Sequence, residues 1–488
     1  MNPLIIGLDL GTTLCKAAAF ELNGSLRTTA QSGINTSRPH SGWAEQNPLD
    51  WTAAIREVLK EISVNLGDEV CRVTAIGVSS HGPSLIPTDS RLQPLAMAPT
   101  WQDQRAADLC PELIKRAGTE WVGLGMPESS FAVKLNWVIK NQPELIKQAV
   151  HLLDVKGFLL ATLTGRIIDE TSSSPGAWEW SRSTYEQLGI DLHKIPLTVS
   201  SATVVGRLLP NLADEIGLPR SVVVIAGLND GASATLGAGV INNGQGIVSL
   251  STNGVMRTIV NERLPGDILV ENSLFCYSFI NEYYVTGGTT KCGGDSVRWF
   301  IDTFLSGYHE DKVFDQIERD ASESIIGANG ILFMPYLMGI GSPHSRKESQ
   351  GAFLNLGRHH GRTDMTRALL EGIAFSLRDI GETFNHLNWK WDNLRFTGGG
   401  SKNKVWSQIV ADVLGKPLKV VQADSVLGAA IITAVTCGYK SSIQSVVSEW
   451  VRPTFTFEPI SKNVQRYNDI YQYFVRARQN LDTFLITR

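Results

Sequence analysis

The 488-residue sequence has six cysteines, and no two of them form a CxxC pair. Cys15, Cys71, Cys110, Cys276, Cys292 and Cys437 are scattered along the chain, so they read as reduced thiols of a cytoplasmic protein rather than a disulfide frame or a zinc site. No apolar run approaches the roughly 18 to 20 residues that cross a bilayer, and no basic segment leads into an apolar one at the start. The expectation is a soluble intracellular protein with no membrane partner. Charge of one sign is also missing: 44 Lys and Arg stand against 48 Asp and Glu, a net charge of -4. That balance excludes an electrostatic case for nucleic acid. No GxSxG nucleophile elbow and no GxxxxGK[ST] loop occur. His359-His360 has no acid or cysteine at ligand spacing and reads as a solvated loop.

What is present is an ordinary globular mixture, 43% hydrophobic and 19% charged, long enough for two cores. Apolar runs at 4–9 and 14–20, followed by Asn23-Gly24, predict an antiparallel meander. Helical periodicity marks 51–62, 133–150, 154–164 and 364–387, and buried strands fall at 73–78 and 221–226. A strand at 394–397 runs into Gly398-Gly399-Gly400, and a helix follows through VWSQIVADVLG. A strand at 418–421, an alanine-rich helix at 427–437 and a final helix at 464–485 complete an α/β pattern. LDLGTTLCKA near the start and VSLSTNGVMR in the second half share one plan: apolar run, small polar turn, apolar run. The repeat predicts two related domains, 1–243 and 244–488.

The chemistry-bearing residues gather at strand ends. Gly11, Thr12 and Thr13 make a tight turn whose N–H groups and hydroxyls suit phosphate oxygens, with Lys16 adding positive charge. Asp9 could hold a magnesium ion through water, because hard cations prefer carboxylate oxygen. A plain hairpin turn with a buried lysine stem explains the same residues. Ser251-Thr252-Asn253-Gly254 offers a similar donor set, and Gly398 to Asn403 lets the backbone approach a flat or anionic ligand. Asp230 follows a buried strand among glycines and alanines. Such a carboxylate can accept a proton from a substrate hydroxyl, although by local sequence a helix N-cap is the favoured role. His81-Gly82 ends a strand, and Trp101 to Arg105 combines an aromatic face with hydrogen-bonding groups of the kind that hold sugars.

Together these motifs resemble the FGGY carbohydrate kinases, over Ile5 to about Tyr439. The matching segments keep the family's order: GLDLGTTLCKA (7–17), GWAEQNPLDW (42–51), VSSHG (78–82), TWQDQRA (100–106), KLNWVIKNQPEL (134–145), AGLNDGASATLGAG (226–239), SLSTNGVMRTIV (249–260), GGDSVRW (293–299), GAFLNLGRHHGRTDMTRALLEGI (351–373) and GGGSKNKVWSQIVADVLGKP (398–417). The resemblance implies two ribonuclease-H/actin-like domains with ATP between them, and transfer of the γ-phosphate to a hydroxyl of a sugar or polyol. It implies Asp230 as the catalytic base, in place of the cap. Asp9, Gly11, Thr12, Thr13 and Lys16 match the first phosphate and magnesium motif, and Thr252, Asn253 and Gly254 the second. Gly294 matches a nucleotide-contact glycine, and Gly399 and Asn403 the adenosine motif. His81, with Ser80 beside it, matches a sugar-contact position, and Trp101 and Asp103 are candidates for the same pocket.

The sequence departs from the family pattern at Ser251 and Asn253, where GTSG is usual, at Gly339-Ile340-Gly341-Ser342 before Pro343, and at Asn355. His81-Gly82 and Ser342-Pro343-His344 resemble xylulokinases, whereas 254–260, 275–279 and 286–304 resemble gluconokinases. Glycerol kinase is disfavoured, because His81-Gly82 replaces its Arg-Glu sugar contact. The expected substrate is a small-molecule sugar or sugar acid, either a D-xylulose-like ketopentose or gluconate. A gluconate site needs a cation or helix dipole for the carboxylate, and sequence alone assigns none. The expected cofactors are ATP and Mg2+, and a homodimer is the assembly to test. The alternative of another class is a non-catalytic actin-like ATP-binding regulator.

Overall fold

A computed structural model describes residues 2–123, 127–173, 183–305 and 310–484. The chain opens with three antiparallel strands, β1 (Leu4–Leu10), β2 (Leu14–Glu21) and β3 (Leu26–Gly33). Helix α1 (Pro48–Leu66) packs on β2 and β3, and β4 (Val73–Ser80) then pairs parallel with β1. The predicted helix at 133–150 is two helices, α2 (Phe131–Asn141) and α3 (Pro143–Gln148), because Pro143 has no N–H to continue the first. After α4 (Val155–Thr164) come β5 (Val204–Arg207) and β6 (Val223–Asn229). The first sheet has the order β5-β6-β4-β1-β2-β3.

The second sheet repeats that scheme. β7 (Gly244–Leu250) pairs antiparallel with β8 (Gly254–Val260), which continues to β10 (Tyr284–Thr289) and β9 (Phe275–Ser278). The helix α5 (Asp230–Gly237) precedes β7, and the chain continues from β10 through α6 (Gly294–Phe304), α7 (Arg362–His386), β11 (Trp391–Thr397), α8 (Lys404–Leu414) and β12 (Leu418–Val420). α9 (Ser425–Thr436), β13 (Phe455–Phe457) and α10 (Ser461–Phe484) complete the chain. The sheet order is β9-β10-β8-β7-β11-β12-β13, with β11 parallel to β7 as β4 is to β1. The repeat legible in the two ten-residue segments is therefore a repeat of strand pairing.

The halves are not separate bodies. α9 belongs to the second half by sequence, yet it packs on β1, β4 and α5. A Cβ on Gly7 would lie 2.1 Å from the Val426 carbonyl oxygen, and one on Gly77 would lie 2.3 Å from that of Ala429. Glycine in both central strands lets the helix backbone sit directly on the sheet. Val426, Ala430 and Ile431 of α9 share a buried core with Ile5, Ile247 and Ile259, drawn from both sheets, and with Leu236 of α5. Burying this apolar face, at about 25 cal/mol per Å2, holds the facing strand ends in one relation. Among the described residues no helix is long and apolar enough to cross a membrane.

Candidate active site

Two cavities open where the strand ends of the two sheets face one another. The smaller, about 240 Å3, is lined from the first half by Thr12, Trp101 and Asp230 and from the second by Arg257, Tyr277 and Lys291. The larger, about 590 Å3, is lined by Thr252, Gly294, Gly399, Gly400, Asn403 and Trp406.

The first turn is built from below. Trp51 donates its indole N–H to Gln46 Oε1 at 2.8 Å, and Gln46 Nε2 donates to the Thr12 carbonyl at 2.7 Å. Trp101 Nε1 donates to Thr12 Oγ1 at 2.9 Å, which turns this hydroxyl into the cavity wall. Asp9 lies beneath the turn, 6% exposed, and accepts from Ser79 Oγ at 2.6 Å. Burial raises its pKa, and hydrogen bonds from Ser425 and Ser79 oppose the rise. Lys16 stands directly across the hairpin from Asp9, and Thr13 is exposed at the tip. Gly11 closes the turn by donating to the Leu14 carbonyl at 3.0 Å.

Asp230 is reached by a strand longer than its apolar run suggests. β6 continues three residues past the predicted end, so Asn229 stands at its tip and Asp230 opens α5. The N-cap role that local sequence favoured for Asp230 belongs to Asn229, whose Oδ1 accepts from Ala232 N at 2.7 Å. Asp230 is thereby released to face the cavity. Ser172 fixes the strand tip, its Oγ accepting from Asn229 N at 2.8 Å, and Glu170 in turn accepts from Ser172 Oγ at 2.6 Å. Beneath them the buried Lys156 donates to the carbonyls of Val78, Ala226 and Leu228, stapling β4 to β6. Asp230 is open to cavity water but crowded by protein on its other sides. That desolvation, with the charge of Asp9 second, lifts its pKa to about 6, opposed first by Arg257.

The second turn is held by backbone contact. Gly294 N donates to the Ser251 carbonyl at 2.7 Å and Asp295 N to that of Thr252 at 3.1 Å, so α6 begins against the turn. A Cβ at Gly294 would lie 2.7 Å from the Ser251 oxygen, and one at Gly398 would lie 2.3 Å from the Leu250 oxygen. Asn253 and Gly254 lie outside the cavity lining: Gly254 N donates to the Cys292 carbonyl at 2.7 Å. Asn403 caps α8, its Oδ1 accepting from Trp406 N at 2.8 Å, which leaves its amide NH2 on the cavity side. At Gly399 a Cβ would meet nothing within 4 Å. Trp406 also lines this cavity, and its buried indole N–H has no partner among the described residues. A glycine wall with uncommitted donors suits a flat, polar nucleotide.

Three of the predicted sugar contacts are placed behind the smaller cavity's wall. Asp103 is buried in an ion pair with Arg105 at 2.8 Å and accepts from Ala44 N at 2.7 Å, so its lone pairs are committed. His81 packs edge-on against Trp51, ring centroids 5.5 Å apart, and burial lowers its pKa to about 4. Neither ring nitrogen, nor Ser80 Oγ, has a partner among the described residues. Gly82 and Pro83 reach the lining instead. Arg257, Tyr277, Lys291 and Ser172 were not singled out by sequence reasoning. The usable signal was strand alternation: counting by two from the turn puts Val255 and Arg257 on one face.

The N-terminal domain model of the FGGY family of carbohydrate kinases matches residues 4–237, and the C-terminal domain model matches 246–437. A xylulose kinase of Staphylococcus epidermidis is 29% identical over 503 residues, covering 100% of this chain and 99% of the relative. A gluconokinase of Bacillus subtilis is 25% identical over 507 residues, covering 99% and 97%. Among solved structures, the gluconate kinase of Lactobacillus acidophilus superposes with a TM-score of 0.90 at 23% identity, covering 99% of this chain and 98% of that one.

Proposed function

The chain belongs to the FGGY family of carbohydrate kinases and is an ATP-dependent phosphotransferase; from that premise we propose that Asp230 is the base, acting on a hydroxyl of an open-chain sugar or sugar acid in the smaller cavity. The observation that carries this reading is Asp230 itself. It is the one carboxylate on the cavity lining among the described residues, held by the Glu170–Ser172–Asn229 chain. Its pKa of about 6 leaves it ionised at neutral pH and basic enough to take a proton.

In the proposed step, an Asp230 carboxylate oxygen accepts the proton of the substrate hydroxyl. The freed oxygen forms a bond to the γ-phosphorus, the bond to the β-phosphate oxygen breaks, and ADP leaves with those electrons. Thr12, Ser251 and Thr252 hold phosphate oxygens, and the glycine-walled cavity takes the nucleoside. Magnesium would supply charge neutralisation on the phosphates. Asp9 is the residue that fits it: a buried oxygen ligand beneath the turn, close enough to Asp230 for their charges to interact. No cluster of three His, Cys, Asp or Glu side chains suited to a metal occurs among the described residues. Water would therefore complete the coordination, as Mg2+ favours. The relatives' names supply two substrates to test, a ketopentose such as D-xylulose and gluconate. We assign the activity to the cytoplasm, where ATP is made available.

Coupled ADP-release assays with ketopentoses, gluconate and polyols test the reading. ADP release that requires an acceptor and collapses in Asp230→Asn supports it. An Asp230→Asn protein with full turnover overturns the base assignment.

A further inference from the structure

The smaller cavity carries more positive charge than a neutral sugar needs. Among its described lining residues Arg257 and Lys291 are cationic and Asp230 is the single acid. No carboxylate lies within 4 Å of the Arg257 guanidinium among the described residues. Its one side-chain hydrogen bond among the described residues runs from Nε to Tyr277 Oη at 3.2 Å, which leaves the two Nη groups uncommitted there. The side chain is nevertheless held in place. Phe275 lies in the same row of the sheet, across Gly287 from Arg257, with its ring centroid 5.8 Å from the guanidinium carbon. Phe275 also stacks on Tyr277, centroids 5.4 Å apart. On the opposite wall Gly231 makes room: a Cβ there would lie 2.3 Å from Tyr277 Oη and 3.5 Å from Arg257 Nη2. An oriented guanidinium with a free edge matches a carboxylate bidentately.

We propose that Arg257, supported by Lys291, is the specificity-determining residue of the sugar cavity, and that it selects an open-chain sugar acid by binding its carboxylate. The inference rests on the reading of the smaller cavity as the sugar site. Its rival is a phosphate contact. Arg257 lies three residues beyond Gly254 on β8, roughly 10 Å along the strand from the second turn. Its side chain instead stands beside Gly231 on the wall of the smaller cavity, close enough to Asp230 for their charges to interact.

The test compares gluconate with glucitol, the neutral polyol of the same length, in ADP-release assays. Wild-type protein should prefer gluconate in kcat/KM. Arg257→Gln should lower the gluconate-to-glucitol ratio about 100-fold, mainly through the gluconate KM. Arg257→Lys, which keeps the charge but not the fork, should fall between. Calorimetric titration of gluconate into Asp230→Asn reads the same contact without chemistry, and adding Arg257→Gln should weaken that binding about 100-fold. An unchanged ratio, equal losses on both substrates, or wild-type turnover of ketopentose and glucitol without gluconate overturns the proposal. Full activity of Asp230→Asn would overturn the base assignment instead, leaving the ratio to judge Arg257 separately.

Discussion

Gly7–Ala18 and Ile247–Arg257 are one hairpin built twice, the second with a turn one residue shorter, and they differ in where they place charge. Asp9 in β1 pairs in parallel register with Ser79 in β4, and their side chains hydrogen-bond at 2.6 Å. Ser249 in β7 pairs with Thr397 in β11 in the equivalent register, and their hydroxyls lie 2.8 Å apart. One copy thus keeps a carboxylate where the other keeps a neutral hydroxyl. Farther along, Ala18, paired with Gly7, corresponds in register to Arg257, paired with Ile247. The first hairpin presents negative charge beneath its turn, suited to a cation. The second is neutral there and presents positive charge to the smaller cavity. A duplicated backbone has been specialised by single side chains at matching register positions.

The largest effect expected is at the acid both hairpins surround. Asp230→Asn should cut kcat about 10^2- to 10^4-fold with little change in ATP affinity, read by steady-state kinetics and nucleotide titration. Wild-type kcat/KM should also fall about tenfold per pH unit below the pKa of about 6, because protonated Asp230 cannot accept the hydroxyl proton. The sign for stability is opposite. A carboxylate whose pKa rises on folding favours the fold when protonated, and that contribution is lost as pH rises through about 6. Asp230→Asn should therefore unfold no earlier than wild type at pH 8, which separates lost chemistry from lost structure.

Asp9→Ser converts the first hairpin to the chemistry of the second. The expected outcome is a loss of about 100-fold in kcat together with a raised magnesium requirement, measured by titrating the metal at saturating ATP. Unaltered magnesium dependence would break the comparison, since the two hairpins would then differ in charge without differing in role.

The turns and strand ends that carry the proposed phosphate and base positions were legible because they depend on local backbone. The turn at Gly11 to Thr13, the strand-end Asp230 and the glycines at 294 and 399 each announce themselves within a few residues. Trp101 and Thr12, 89 residues apart, were both named, and the structure joins them. His81 and Asp103 show the limit. Their side-chain types suit sugar, but whether a strand-end side chain faces the cavity or the core depends on partners distant in sequence. Arg105, paired with both Asp103 and Glu45, claims the acid, and Trp51 covers the imidazole. Arg257 and Lys156 were invisible for the converse reason. Each lies in an otherwise apolar element, and its meaning comes from Gly231 and Tyr277, or from three carbonyls on neighbouring strands.

A moderate effect should follow from stiffening the second turn's support. Gly398 has φ of +89°, and a Cβ there would press on the Leu250 oxygen. Gly398→Ala should raise the ATP KM about tenfold through a displaced turn. Gly399→Ala has no such clash, so an ATP KM raised as far would have to come from the methyl group meeting the nucleotide. Structural strain and ligand contact are thus separated by adjacent residues.

The smallest effect tests the asymmetry from its neutral side. Ser249→Ala removes one hydroxyl from a half-buried pair and leaves Thr397 with a neutral group to satisfy, a cost of about 1 kcal/mol. Thermal unfolding should shift down slightly, and kcat should change by less than about threefold. The magnesium requirement should not move, because no charge was present to hold the ion. A shift in that requirement comparable to Asp9→Ser would mean that the second hairpin also serves the metal. The carboxylate of the first would then be an accident of register rather than the source of its role.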